Sequence, residues 1–208
     1  MVKIGLTGNR YSGKDRTARL FEQITIPVFH ADIILKFILN HNFEMQHKLK
    51  TKIGTGIFTN DGFLDEKMVT LCGAFDKMLD QAEFELFKAY EKFRLKNKQS
   101  IYTIFHSSIL FERGWDKKMD FNINVFSPPT ERMERCKYLN PDILISDIYH
   151  NMSIEMGDLD KNQKADYVIH NYEDVDKKIF GDLLTQVNKI DQKIIDKYLR
   201  EEHKYKFI

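Results

Sequence analysis

Lys3-Ile4-Gly5-Leu6-Thr7-Gly8-Asn9-Arg10-Tyr11-Ser12-Gly13-Lys14-Asp15 is the stretch that decides the fold. Lys3–Thr7 reads as a buried strand, and Lys14–Gln23 as the helix after it. Between them lies a Gly-x4-Gly-Lys loop, and the strand before and helix after give that motif its meaning. Gly8 and Gly13 let the backbone fold tightly around phosphate oxygens. Successive N–H groups and the helix N-terminus supply partial positive charge. Lys14 is the mobile cation for the β- and γ-phosphates of a nucleotide. The expected binding set is therefore Gly8, Asn9, Arg10, Tyr11, Ser12, Gly13, Lys14, Asp15 and Arg16, with ATP as the ligand. The bland alternative is a glycine-rich turn that binds nothing.

One position departs from the pattern. The residue after the lysine is usually Ser or Thr, whose hydroxyl meets magnesium, and here it is Asp15. A carboxylate is a hard oxygen ligand, so Asp15 is the candidate for Mg2+. It also adds negative charge beside a triphosphate. Thr17 is a weaker substitute.

Outward from the loop, short apolar runs alternate with helix-period segments. Strands are expected at Ile26–Phe29, Ser100–Phe105, Phe121–Phe126 and Tyr167–Ile169. Helices are expected at Asp32–Leu39, Asp65–Phe75, Asp76–Lys96 and Thr130–Tyr138, the last opened by Ser127-Pro128-Pro129. Asp174 is read as the cap of a long amphipathic helix carrying Val175, Ile179, Leu183, Val187, Ile190 and Ile194. The polar interval 140–164 is either a lid or a surface helix pair, and Arg200–Ile208 reads as a frayed end. Strands alternating with helices predict an α/β fold with a parallel sheet covered on both faces.

With 208 residues, 42% of them hydrophobic, the chain can form one domain with its own core. A net charge of +1 argues against a nucleic-acid partner, which needs a basic surplus. No run of about 18 apolar residues exists to span a membrane, and the start does not read as a signal peptide. A cytoplasmic protein, monomeric or weakly self-associating, is expected. Cys72 and Cys136 lie outside any metal-ligand spacing and read as two buried free thiols.

Several segments together resemble the dephospho-CoA kinase family. Ile4-Gly5-Leu6-Thr7-Gly8 with Ser12-Gly13-Lys14 is similar to its opening IGLTGGIGSGKS, and Ile26-Pro27-Val28-Phe29-His30-Ala31-Asp32 to IPVIDAD. Asp61-Gly62-Phe63-Leu64-Asp65 is similar to DG-x-LD, and Ile109-Leu110-Phe111-Glu112 to PLLFE. Pro129 to Arg135 is similar to P-x-x-Q-x-x-R, and Ala165-Asp166-Tyr167-Val168-Ile169-His170-Asn171 to ADYVIDN. The matches keep the family's order from Val2 to about Val187. The resemblance implies a three-layer P-loop NTPase fold over 1–208, with a helical acceptor-binding segment at about 40–98 and a lid at about 140–164. It implies ATP-dependent transfer to the 3′-hydroxyl of dephospho-CoA.

By the same resemblance Asp32 activates the acceptor hydroxyl, its alternative being a helix N-cap. Lys14 and Arg135 complete the expected catalytic set, and Asn171 lies where the family's chain passes the adenine. The alternatives are a solvated helix arginine and a plain turn asparagine. Three departures fall on acceptor recognition and closure. His106 and Ser108 stand where the family has Asp and Pro, the HP pair is absent at Gln81-Ala82-Glu83-Phe84-Glu85, and 140–164 holds no arginine. Two other functions therefore stay open: a nucleoside or deoxynucleoside monophosphate kinase, and an ATP-binding module without turnover.

Overall fold

The computed structural model describes residues 1–172 and 181–205. Five strands, β1 (Val2–Thr7), β2 (Val28–His30), β3 (Tyr102–His106), β4 (Phe121–Phe126) and β5 (Tyr167–His170), form one sheet in the order β2-β3-β1-β4-β5. β1 runs parallel to β3 and β4, and β4 parallel to β5. Nine α-helices fall among the described residues: α1 (Lys14–Gln23), α2 (Ala31–His41), α3 (Phe43–Lys52), α4 (Glu66–Leu71), α5 (Phe75–Lys96), α6 (Pro129–Leu139), α7 (Ile145–Ser153), α8 (Asp158–Lys164) and α9 (Leu183–Tyr205).

The chain divides into two compact units, one of residues 1–29 and 97–208 and one of residues 30–96. In the first, Ile4, Leu6, Ile104, Ile123, Val125 and Ile169 from the sheet bury against Ala18 and Phe21 of α1 and Val187 and Ile194 of α9. Near-continuous apolar strands are what a parallel sheet covered on both faces requires. The second unit is helical. Leu35, Ile38 and Leu39 of α2, Met45 and Leu49 of α3, and Met78, Leu79, Ala82 and Leu86 of α5 are its buried residues.

Several boundaries differ from the sequence reading, each for a local reason. β2 begins at Val28 because Ile26 N–H donates to Phe21 O at 3.0 Å, closing the turn after α1, and Pro27 has no N–H to give. Pro27 still accepts from Ile104 N at 2.9 Å. α4 opens on an Asp65 cap, whose Oδ1 accepts from Lys67 N and Met68 N, and stops at Leu71, before Gly73 at φ 57°. The helix expected from Asp174 is not continuous. Gly181, at φ 80°, and Asp182 are not helical, and α9 starts at Leu183, with Asp182 Oδ1 accepting from Thr185 N at 2.7 Å. Asp174, Val175 and Ile179 lie outside the described residues. The expected frayed end is helical as far as Tyr205. The interval 140–164 contains the helix pair α7 and α8. Both cysteines are free, but Cys72 is exposed and only Cys136 is buried.

Candidate active site

The loop after β1 is shaped by two left-handed residues, Tyr11 at φ 63° and Gly13 at φ 95°. The second needs glycine twice over, because a Cβ there would also run into Asn171 Nδ2. A Cβ on Gly8 would meet Val125 O at 2.6 Å, so the backbone of the loop lies directly on β4. Ser12 N donates to Asn9 O at 3.1 Å, and Thr17 N to Gly13 O at 2.9 Å as α1 begins. Ser12 Oγ and Thr7 Oγ1 are buried with no hydrogen-bond partner among the described residues. A buried hydroxyl left unsatisfied is costly unless a ligand completes it. Together with the free N–H groups of the helix start, these atoms suit an anion, and a nucleotide's phosphates fit them.

Lys14 is buried, and its Nζ lies 3.7 Å from Asp15 Oδ2. The Asp15 side chain is 70% exposed, and its other oxygen lies 3.5 Å from His106 Nε2 at the end of β3. Thr17, the weaker substitute, is buried and donates its hydroxyl to Gly13 O at 3.1 Å. No cluster of three or more His, Cys, Asp or Glu side chains that could cage a metal occurs among the described residues. Magnesium binds nucleotide sites through one or two carboxylates plus phosphate oxygens and water, and Asp15 is the carboxylate that this loop offers.

Arg135 and Asn171 act on the loop itself. Arg135 donates to Tyr11 O at 3.1 Å, Ser127 Oγ at 3.0 Å, Asn171 O at 3.0 Å and Glu131 Oε2 at 2.7 Å. It is therefore not the solvated arginine of the alternative reading. Asn171 Nδ2 donates to Ser12 O at 2.7 Å, and its own N–H to Phe126 O at 2.8 Å, so it is no plain turn residue. Both also line hollows beside the loop. One of about 650 Å³ is bounded by Arg16, Arg135, Tyr138 and Leu139, and one of about 320 Å³ by Arg16, Leu20, Asn171 and Tyr172.

Arg132, Glu155 and Asp158 are functional neighbours that the sequence reading missed. Arg132 Nη1 donates to Glu155 Oε2 at 2.8 Å, and Nη2 to Asp158 Oδ2 at 3.0 Å. Glu155 Oε1 accepts from Arg10 N–H at 2.8 Å, and Asn9 Nδ2 donates to Asp158 Oδ1 at 2.8 Å and to Met156 O at 3.1 Å. The segment before α8 is thus fastened to the phosphate loop by its acids. A signal existed in the spacing, because Arg132 and Arg135 share a helix face at i, i+3. Lys161 of α8 is 1% exposed and pairs with Glu112 Oε1 at 2.8 Å, close to Ser108 O at 3.4 Å.

These contacts place Arg135 and Asn171 against the loop at Tyr11, Ser12 and Gly13, while Lys14 and Asp15 lie toward His106. Asp32 belongs to the helical unit. It lies in the first turn of α2, whose N-cap is His30, so the N-cap alternative is corrected.

A strand–loop–helix with a buried lysine, on a parallel sheet covered by helices, defines a P-loop phosphotransferase of the small-molecule kinase type. The model of one such family, dephospho-CoA kinase, matches residues 2–177, and the chain belongs to that family. It is 29% identical over 182 residues to a dephospho-CoA kinase of Zymomonas mobilis, covering 82% of this chain and 88% of the relative. With that of Aquifex aeolicus it shares 26% over 194 residues, covering 88% and 98%. Among solved structures, a Thermus thermophilus protein superposes with TM-score 0.75 at 18% identity, covering 94% of this chain and 97% of that one. A dephospho-CoA kinase from Campylobacter jejuni does so with TM-score 0.62 at 15% identity, covering 92% and 96%. These two likenesses bear on the fold.

Proposed function

We infer that this chain carries out its family's reaction, ATP-dependent phosphorylation of dephospho-CoA to CoA, at the 3′-hydroxyl. The observation that carries the reading is the built phosphate loop, which falls inside the residues matched by the family model. Lys14 neutralises the β- and γ-phosphates, and N–H groups of the loop and helix start hold the phosphate oxygens, those of Arg10 and Ser12 being already given to Glu155 and to Asn9 O. Arg135 and Asn171 keep the loop in its binding shape through the carbonyls of Tyr11 and Ser12. The hollows bounded by Arg16, Tyr138 and Tyr172 are the proposed room for the nucleoside.

Asp15 is the proposed magnesium ligand, and the ion would supply charge neutralisation across the triphosphate. Asp32 is the proposed base. Two residues past the end of β2, it would orient the acceptor hydroxyl and take its proton at a carboxylate oxygen. The helical segment at about 40–98 is the proposed acceptor-binding part, and 140–164 the proposed lid. No helix among the described residues is long and apolar enough to cross a membrane. The near-zero net charge supports a small-molecule substrate rather than nucleic acid, and a cytoplasmic protein, monomeric or weakly self-associating, completes the proposal.

The test is ADP release from ATP and magnesium against dephospho-CoA and the common nucleoside and deoxynucleoside monophosphates, with Lys14→Ala as the blank. Turnover with dephospho-CoA is the expected result. Turnover only with a monophosphate would reassign the acceptor, and silence with ATP still bound would indicate a module without catalysis. Asp32→Ala is expected to leave ATP affinity intact and lower turnover about 100-fold or more, the range for a lost general base. Full activity in that variant would remove Asp32 from the mechanism.

A further inference from the structure

We propose that His106 is a positioning residue for the Asp15 carboxylate, holding one of its oxygens so that the other is presented to the metal-bound nucleotide. The inference rests on the reading of Asp15 as the metal ligand, and it explains two departures from the family pattern by one contact.

The two side chains differ in freedom. His106 closes β3, which lies between β2 and β1. It is in register with Leu6, and the next residue, Ser107, donates its N–H to Leu6 O at 3.0 Å. Its side chain is only 5% exposed, so the imidazole has little room to turn. Asp15 is on the first turn of α1 with its carboxylate largely in solvent. Its Oδ1 lies 3.5 Å from His106 Nε2 and its Oδ2 lies 3.7 Å from Lys14 Nζ. The first distance is long for a hydrogen bond, and a small rotation of the exposed carboxylate closes it.

Nucleotide binding changes this balance. Lys14 is the loop's cation for phosphate, and a lysine engaged with the γ-phosphate no longer restrains Asp15. A free carboxylate beside a triphosphate would swing away into solvent, since like charges repel and an exposed side chain loses rotamer entropy when fixed. With its proton on Nε2, an imidazole fixed on the central sheet opposes that swing. Carboxylates that ligate metals are generally hydrogen-bonded in this way by a neighbour that is not itself a ligand. With Oδ1 held, Oδ2 is the atom left to face a hard cation. The family pattern puts a hydroxyl on the loop and an acid at the strand end. Here the acid is on the loop and the strand end supplies the donor, so each residue is the counterpart of the other.

The experiment measures the affinity of a non-hydrolysable ATP analogue by calorimetry, with and without magnesium, in the full chain. The variants are His106→Leu, His106→Gln, Asp15→Ser, and Asp15→Ser combined with His106→Leu. His106→Leu is expected to weaken analogue binding in magnesium at least threefold, about the lower range for contacting residues, and to leave metal-free binding unchanged. His106→Gln keeps an N–H near the position of Nε2 and is expected to retain most of the affinity. In the Asp15→Ser background the leucine change is expected to have no further effect. Magnesium-linked affinity unaltered by His106→Leu, or equal losses with and without Asp15, would overturn the proposal. So would a glutamine variant as impaired as the leucine one. Thermal unfolding of each ligand-free variant separates these outcomes from a folding defect, and if the leucine variant does not fold, the glutamine and serine variants decide. Turnover is not read, so the choice of acceptor stands or falls separately in the ADP assay.

Discussion

Replacing Arg132 by Met tests the view that charged side chains outside the phosphate loop hold it in shape. The Arg132 side chain is 4% exposed, and it makes two charged hydrogen bonds, to Glu155 Oε2 at 2.8 Å and Asp158 Oδ2 at 3.0 Å. Removing one partner of a buried ion pair costs about 3–5 kcal/mol because the opposite charge stays behind. Here the acids retain other donors, Arg10 N–H and Asn9 Nδ2, so the lower end applies, about 3 kcal/mol. For a chain of this size each kcal/mol moves the midpoint by about 2–4 °C, which predicts a drop of about 6–12 °C in calorimetry. Nucleotide affinity should fall as well, because Glu155 and Asp158 touch the loop through Arg10 and Asn9. Neutralising the orphaned acids in the same chain, as Arg132→Met with Glu155→Gln and Asp158→Asn, should recover most of the loss. A single variant within about 1 kcal/mol of the parent, with unchanged affinity for ATP, would refute the reasoning.

Two further perturbations have signs fixed by the structure. Tyr102 donates its hydroxyl to Asp191 Oδ1 at 2.6 Å, joining β3 to α9, and burial first, then that bond, holds its pKa far above 10. A pKa raised on folding gives stability that is complete below the unfolded value, near 10, and declines as pH rises beyond it. The decline should approach about 1.4 kcal/mol per pH unit, and Tyr102→Phe should lack this part of it while losing about 1 kcal/mol at pH 8. Urea midpoints at pH 8, 10 and 11 decide, and parallel curves for the two proteins would contradict the assignment. Lys161→Met should cost about 3 kcal/mol by stranding Glu112, and adding Glu112→Gln should restore part of it in the same urea titration. Additive losses would show that the two side chains are not coupled.

What could be read in advance was what is local in the chain. The strand, glycines, lysine and helix of residues 3–23 are contiguous, so their spacing carries both fold and ligand class. Asp32 was placed beside its helix start on the same grounds, although the cap itself is His30. The break at Gly181 and Asp182 in the single long helix expected there shows the limit of periodicity. Val175, Ile179, Leu183 and Val187 keep helical spacing through Gly181, and the pattern does not register a left-handed glycine followed by a new Asp cap. Cys72 was misplaced because a cysteine's general preference for burial says nothing about the exposed end of α4. The bonds of Arg132 to Glu155 and of Arg135 to Tyr11 span 23 and 124 residues, and only the fold brings such partners together.

Those long-range bonds also bear on the segment 140–164, which has no arginine. Between Asn140 and Lys164 the acids Glu155 and Asp158 face the loop, and a triphosphate arriving there would meet uncompensated negative charge if they were free. Each is instead committed to Arg132, which is on α6. Glu131 is taken by Arg135, Glu112 by Lys161, and Asp15 stands between Lys14 and His106. Glu155, Asp158 and Glu131 are therefore tied to arginines of α6, so the field at the phosphates is set by Lys14, the N–H groups and the start of α1. The arginines beside the loop, Arg132 and Arg135, both belong to α6. Residues 155–158 thus hold Asn9 and Arg10, and Arg132 is the side chain on which that hold depends.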